Sequence, residues 1–325
     1  MGWPGHQKRG GMAEDRIPFP KTVFEFARWF PDDQACMSYL YRSRWPESFV
    51  CPKCRSTEDP YMLDKYKRIE CSSCGHQTSV TAGTVLHRTR MPLTMWFEAA
   101  YHVATYAPGT SALQLQKHLG TSYETAFNIL HKLRAAMVRP DRDRIHGKVE
   151  MDETFVGAPK PGKRGRGAEG KTIVLGAVEI LPSRGKRIRS GRLRMRVVPD
   201  AKGKTIVAFA KGNVEPRSLI LSDDLSSYDS LTKHDYRHRV VTSASLDRIH
   251  MSFGNFKTWI LGTHHGVSSK HMQAYVNEFV FRHNRRANPM AAFQTILGLA
   301  AQAEGPTYRQ LYAAGDRRGW VHPTA

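Results

Sequence analysis

Four cysteines constrain this chain more than any other feature. Cys51-Pro-Lys-Cys54 and Cys71-Ser-Ser-Cys74 form two Cys-x2-Cys pairs with sixteen residues between them. Each pair can turn two thiolates toward one point, and two such knuckles complete a closed tetrahedral zinc site. Gly75, directly after the second pair, permits the tight turn a knuckle needs. Two disulfides are the alternative. The N-terminus carries charge and glycine without the apolar run of a secretory signal, however, which points to a reducing compartment and to metal. A four-thiolate site has no open coordination position, so its Zn²⁺ organises a fold and does no chemistry. Residues 48–82 therefore read as a zinc ribbon, preceded by an N-terminal arm and helical segment over 1–47. With so little room for a core, the ribbon is expected to be unfolded without its metal. Cys36 lies in an apolar stretch and reads as a buried thiol.

The charge balance narrows the partner. In 325 residues there are 49 Lys and Arg against 29 Asp and Glu, a formal net charge of +20. That length supports two or three domains with their own cores, which excludes fibrous and wholly disordered classes. No run approaches the roughly 18 to 20 apolar residues of a membrane span. The default partner of such a chain is a polyanion, and the expected location is the cytoplasm, in association with the nucleoid. A basic enzyme or a ribosome-associated protein is the plainer alternative. The excess is concentrated in residues 151–200, where twelve Lys and Arg face five Asp and Glu. Arg192, Arg194 and Arg196 alternate with Leu193, Met195 and Val197, the period-2 pattern of a strand with one basic and one apolar face. Together with Lys163, Arg164 and Arg166 in a Gly/Pro-rich loop, this face is expected to track a phosphate backbone. A merely solvated edge strand would show the same pattern.

Residues 83–146 read as helical. Trp96, Phe97, Ala100, Tyr101 and Ala104 share one helix face. A short helix over 111–119 follows, then a Gly120-Thr-Ser turn and a third helix striped by Ala126, Ile129, Leu130, Leu133 and Met137. Thr121-Ser-Tyr-Glu124 reads as the capping box of that third helix. Two helices joined by a glycine turn match a helix-turn-helix, which would direct Tyr123, Thr125, Asn128, His131 and Lys132 into the major groove of double-stranded DNA. A three-helix bundle with a solvated polar face is the alternative.

From Lys148 the pattern changes to strands. Runs at 148–157, 171–180 and 191–199 suggest an antiparallel meander. A helix near 205–211, the apolar strand Ser218-Leu-Ile-Leu-Ser222, a strand at 238–242 and helices near 246–261, 269–285 and 289–302 follow. Meander, then alternating helix and strand, is the order of a ribonuclease-H-like α/β fold, expected over 147–302 with a tail over 303–325. The whole chain is thus a multidomain α+β protein. Asp152 falls inside the first strand and Asp223 ends the apolar run at 219–222. Acids so placed are costly unless paired or bound to metal. If their strands are neighbours, both carboxylates reach one sheet edge and can share Mg²⁺ or Mn²⁺. Alternatively, Asp223-Asp224 simply caps the segment that follows.

From about Phe49 to Ala292 the chain resembles the zinc-ribbon insertion-sequence transposases of the fifteen-ninety-five family, whose catalytic domain is of the DDE type. The resemblance is carried, in order, by the two Cys pairs, Ser79-Val-Thr-Ala-Gly-Thr84, Ser111-Ala-Leu-Gln-Leu-Gln-Lys117 and Met151-Asp-Glu-Thr-Phe-Val-Gly157. It continues through Lys163-Arg-Gly-Arg-Gly-Ala-Glu-Gly-Lys171, Val197-Val-Pro-Asp-Ala201 and Glu278-Phe-Val-Phe-Arg-His-Asn-Arg-Arg286. It implies a DNA transposase that binds terminal inverted repeats, cleaves at the element ends and joins the freed 3′-hydroxyls to target DNA. A homodimer or larger assembly on DNA is implied by the need to hold two ends together. Asp152 and Asp223 match the first and second catalytic aspartates. At the third position the family's glutamate is replaced by His250, with Lys257 at the basic position seven residues on. His250 then either serves as the third metal ligand or proton-transfer group, or marks a catalytically inactive DNA-binding regulator.

Overall fold

The computed structural model describes residues 19–63, 67–139, 142–157, 171–184, 187–302, 304–307 and 310–311. The chain begins with two capped helices, α1 (Val23–Trp29) and α2 (Asp33–Arg44). The side chains of Thr22 and Asp32 accept from the amides of Glu25 and Ala35, which satisfies first-turn donors that a helix leaves open. Three short antiparallel strands follow, β1 (Tyr61–Leu63), β2 (Arg68–Glu70) and β3 (Gln77–Thr78). The helical unit comprises α3 (Leu93–Thr105), α4 (Ala112–Leu119) and α5 (Tyr123–Ala136). Gly120 ends α4 in the left-handed region at φ 63°, where a side chain would be strained. Ser122, one residue after the expected Thr121, caps α5 by accepting from the Thr125 amide.

The second layer is a mixed sheet. A nine-residue strand β4 (Lys148–Val156) pairs antiparallel with β5 (Thr172–Arg184), which pairs antiparallel with β6 (Arg187–Val198). After α6 (Gly203–Asn213), β7 (Leu219–Ser222) joins β4 in parallel, and β8 (Arg237–Val240) joins β7 in parallel. The resulting order, β6-β5-β4-β7-β8, is an antiparallel meander extended by two parallel strands, as the sequence pattern predicts. One face packs on α6 through Val149, Met151, Leu175, Ala177 and Ile220. The other packs on α7 (Asp247–His264) and α8 (Met272–Asn284) through Val174, Val178, Leu193, Met195 and Leu221.

The last helix, α9 (Pro289–Gln302), departs from the expected division of the chain. Rather than completing the sheet domain, it sits in the N-terminal helical core. The Phe293 ring lies 5.7–6.4 Å from those of Phe26, Phe30, Tyr39, Phe97 and Tyr101. The physical reason is apolar area: α1, α2 and α3 leave an aromatic hollow that no nearer segment fills, and burying one phenylalanine there contributes about 2 kcal/mol or more.

Candidate catalytic site, metal centre and DNA-facing surfaces

The ribbon forms as the cysteine spacing demands. Two like turns bring the Arg55 amide to the Cys51 carbonyl and the Gly75 amide to the Cys71 carbonyl. Arg55 and Gly75 occupy equivalent left-handed positions, φ 63° and 66°. Sulfur atoms of Cys51 and Cys74, and of Cys54 and Cys71, stand 3.7 Å apart, and all four thiols lie within 4.8 Å of one another. Four sulfurs about 2.3 Å from one tetrahedral ion would be separated by about 3.8 Å, so the donor set fits Zn²⁺. Cys36, as expected, is fully buried in α2. The ribbon is less isolated than its length suggests, because Phe49, Ile69 and Val80 share the core of α2, α3 and α9. Chelating the metal should therefore abolish the ribbon strands and lower the unfolding midpoint of the helical unit while most helical ellipticity persists; circular dichroism before and after a zinc chelator checks this.

Asp152 projects from β4 onto the α7 face of the sheet. Glu150, two residues earlier and on the same face, accepts from the amides of Arg248 and Ile249 at 2.8 and 2.9 Å. It thereby caps the start of α7 and sets that helix's azimuth over the strand. One turn along, His250 Nε2 donates to Asp152 Oδ2 at 2.9 Å, while the Glu153 amide donates to Oδ1 at 2.8 Å. Burial pushes the Asp152 carboxyl up to about 6, against the opposing pull of these two donors. The β4–β7 register pairs Glu150 with Leu221; continued two residues past that last pair, it sets Asp223, just beyond the end of β7, beside Asp152 in the middle of β4. Asp223 Oδ1 accepts from the Leu225 amide at 3.2 Å, the contact that the turn-capping alternative expects. Lys257 lies on the His250 face of α7, two turns on. Burial and the nearby Lys171 lower its pKa, and the Asp152 carboxylate counteracts them.

Gly176 makes this approach of α7 to the sheet feasible. It is the cross-strand partner of Asp152, and a Cβ there would stand 2.6 Å from Phe253 Cε1 and 2.8 Å from Ile249 Cδ1. Gly176→Val should push α7 off the strand, costing about 1–3 kcal/mol in chemical denaturation and reducing catalysis more than stability implies, because His250 moves with the helix. Sequence reasoning missed both Glu150 and Gly176. Glu150 had a legible signal, a carboxylate in register with Asp152 in an apolar strand, whereas the role of Gly176 depends on which helix crosses it.

The basic residues expected on DNA-facing surfaces divide. Tyr123 is exposed at the start of α5 and Thr125 is half-buried beside it. Asn128 and Lys132 are also half-buried, and the Lys132 ammonium lies 5.8 Å from the centre of the Trp96 ring. His131 is a correction: it is 2% exposed, packed on His271 and Tyr275, and cannot face a groove. Arg194 is a second, at 5% exposure, with its two terminal nitrogens bonded to the carbonyls of Leu193 and Asp143. Arg192 bonds Glu179 and the Arg144 carbonyl, and Arg196 is half-buried. The segment joining the helical unit to β4 thus lies over the arginine row, because its carbonyls have no strand partner and guanidinium groups satisfy them. Arginines near the end of α8 also spend donors on carbonyls. Arg282 donates to the carbonyls of Val103, Tyr106 and Ala107, and Asn284 and Arg286 bond the free edge of β6 at Leu193 and Ser190. Lys163, Arg164 and Arg166 lie outside the described residues.

A closed four-cysteine ribbon joined to a mixed sheet that buries Asp152 is an arrangement consistent with one class, the zinc-ribbon transposases. Residues 144–284 match the ISXO2-like transposase domain, and residues 31–77 match the transposase zinc-ribbon domain. These two non-overlapping matches take in more than half of the chain, which belongs to the zinc-ribbon DDE-type transposases of the IS1595 family. Among solved structures, the Mos1 transposase paired-end complex with left transposon end aligns at 10% identity and a TM-score of 0.22, covering 61% of this chain and 78% of that one. No curated protein gives a significant match. Among the described residues, no helix is long and apolar enough to cross a membrane.

Proposed function

We propose that this transposase binds the terminal inverted repeats of an insertion sequence, cleaves at the element ends and joins the 3′-hydroxyls to target DNA, with Asp152, Asp223 and His250 holding Mg²⁺ or Mn²⁺. The observation that carries this reading is the 2.9 Å contact between His250 and Asp152, made across 98 residues of chain on β4, the strand that pairs with β7, after which Asp223 follows. Two carboxylates and one imidazole suit a divalent ion that accepts oxygen and nitrogen ligands, and the imidazole tilts the preference toward Mn²⁺. Bound there, a pair of such ions supplies activation of the attacking hydroxyl and stabilisation of the leaving oxygen in an in-line displacement. The protein's own part is to orient: Glu150 and Gly176 fix α7, so His250 meets Asp152 and Lys257 faces the approaching phosphate.

The sheet order supports a ribonuclease-H-like assignment for the catalytic domain, and the α4–Gly120–α5 geometry supports a helix-turn-helix whose leading residues, exposed Tyr123 and half-buried Thr125, meet the repeat. Two ends must be held at once, so the active form is a dimer or larger assembly on DNA. Incubating the protein with labelled element-end DNA and Mg²⁺ or Mn²⁺ tests the proposal. Strand-transfer products are expected, more abundant in Mn²⁺. Binding without cleavage in either metal would overturn it, and cleaved ends that never join would reassign the chain to the nucleases.

A further inference from the structure

A second cluster of metal-ligating side chains lies in the helical unit, away from both the ribbon and the catalytic strands. Glu98 and His102 stand one turn apart on the same face of α3, and α4 turns His118 of its last turn toward them. His118 Nε2 lies 3.0 Å from Glu98 Oε1 and 2.5 Å from His102 Nε2, and His102 Nε2 lies 3.7 Å from the same carboxylate oxygen. All three donor atoms fall within 4.8 Å of one another, as the four ribbon thiols do.

We infer that Glu98, His102 and His118 form a second transition-metal site, of the zinc type, that fastens α4 to α3. Two imidazole nitrogens aimed at each other need a shared proton or a shared cation. Their 2.5 Å separation is below the ordinary range of about 2.7–3.2 Å for a nitrogen-donated bond. In a tetrahedral zinc site with bonds of about 2.0–2.1 Å, donor atoms stand about 3.3 Å apart. The two contacts to Glu98 bracket that distance, and the imidazoles need separate by less than about 1 Å. His102 is buried and its ring is stacked on Tyr106, 4.5 Å between centroids at 16°, so its direction is already set. Glu98 and His118 are each more than two-fifths exposed, which leaves an entry path from solvent.

Two imidazoles and one carboxylate fill three of zinc's four positions and leave one open to water. That side of the cluster is accessible: His102 and His118 line a groove of about 340 Å³ beside α3 and α4. With two nitrogen donors among three, the site favours a transition metal over Mg²⁺. The consequence is mechanical: the angle of α4, and with it the α4–α5 pair, depends on the ion.

Metal content measured on the intact chain decides the matter. In an Asp152→Asn background, which disables the proposed catalytic ion site, protein saturated with Zn²⁺ and then freed of excess metal should hold about two zinc ions per chain, and the exposed-residue variants His118→Ala and Glu98→Gln in that background about one. Cobalt replacing the second equivalent should give d–d absorption without a thiolate charge-transfer band, and this spectrum should vanish in His118→Ala. The second equivalent should also raise the unfolding midpoint of the Asp152→Asn chain and not that of the His118→Ala variant. One zinc per chain in the Asp152→Asn protein would overturn the inference. So would two zinc ions retained in both variants, since a second ion held elsewhere would ignore these side chains.

Discussion

Asp152→Asn should reduce strand transfer by at least about 10²-fold while leaving the metal-free protein as stable as the native chain, or more so. The two effects have one origin. Burial disfavours the ionised Asp152 carboxyl and raises its pKa from the ordinary 3.8 to about 6. A raised acid pKa means that ionisation costs folded-state stability. That cost is absent below about pH 4, grows as the pH rises to about 6, and is complete above it. Asparagine fills the same space and bears no charge at any pH, so the cost disappears. What disappears with it is the charge that would hold a divalent ion beside Asp223. Denaturation midpoints at pH 7.5, read beside strand transfer by the same preparation, separate this from misfolding: a variant that lost both activity and stability would show Asp152 to be structural. His250→Ala should lose less activity, because Asp152 and Asp223 retain the negative charge of the site, and Mn²⁺ should restore part of it.

Glu278→Ala should cost about 3–5 kcal/mol of stability, a large part of what a domain typically has. Glu278 lies in α8 and Arg134 in α5, each 1% exposed, with Arg134 Nε 2.7 Å from Glu278 Oε2. The Arg134 guanidinium also stacks 4.0 Å from the centre of the Tyr275 ring. Removing the carboxylate leaves an arginine buried without its counter-charge, and Arg282, 3.8 Å from the same carboxylate, is affected as well. The double variant Arg134→Met/Glu278→Leu should recover much of the loss, because it leaves no uncompensated charge. The same junction makes the protein acid-sensitive. Burial first, then Arg134, Arg282 and His265, hold His264 down to about 3. Between about pH 6.5 and 3 the unfolded chain takes up a proton that folded His264 refuses, so stability declines as pH falls through that window. Urea midpoints at pH 7.5 and 5 measure this; an unchanged midpoint in Glu278→Ala would show the pair to be dispensable.

These predictions fall on residues that local pattern treats unequally. Asp152 was legible because an acid inside an apolar strand is conspicuous, and because the Met151–Gly157 motif is distinctive. Its partner His250 was legible only through alignment to a family position, since nothing local marks that histidine. Arg134 and Glu278, 144 residues apart, gave no sign of pairing. Arg192 and Arg194 read as parts of a DNA surface, because an arginine that satisfies a distant carbonyl and one that meets phosphate have the same sequence signature.

By itself, the amino-acid sequence determined what depends on spacing along one segment. Two Cys-x2-Cys pairs specify a knuckle geometry, alternation specifies the meander, and the 3.6-residue stripe specifies the helices, because each is a property of neighbouring residues. Tertiary structure alone decided what depends on which segments meet. It carried α9 into the N-terminal aromatic core, laid the joining segment over the arginine row, set Glu150 under the first turn of α7 and closed His250 onto Asp152. The physical reason is that burial reverses the meaning of a polar side chain: in water a charge is free to meet a ligand, whereas in the interior it must be matched by a partner that sequence distance does not reveal.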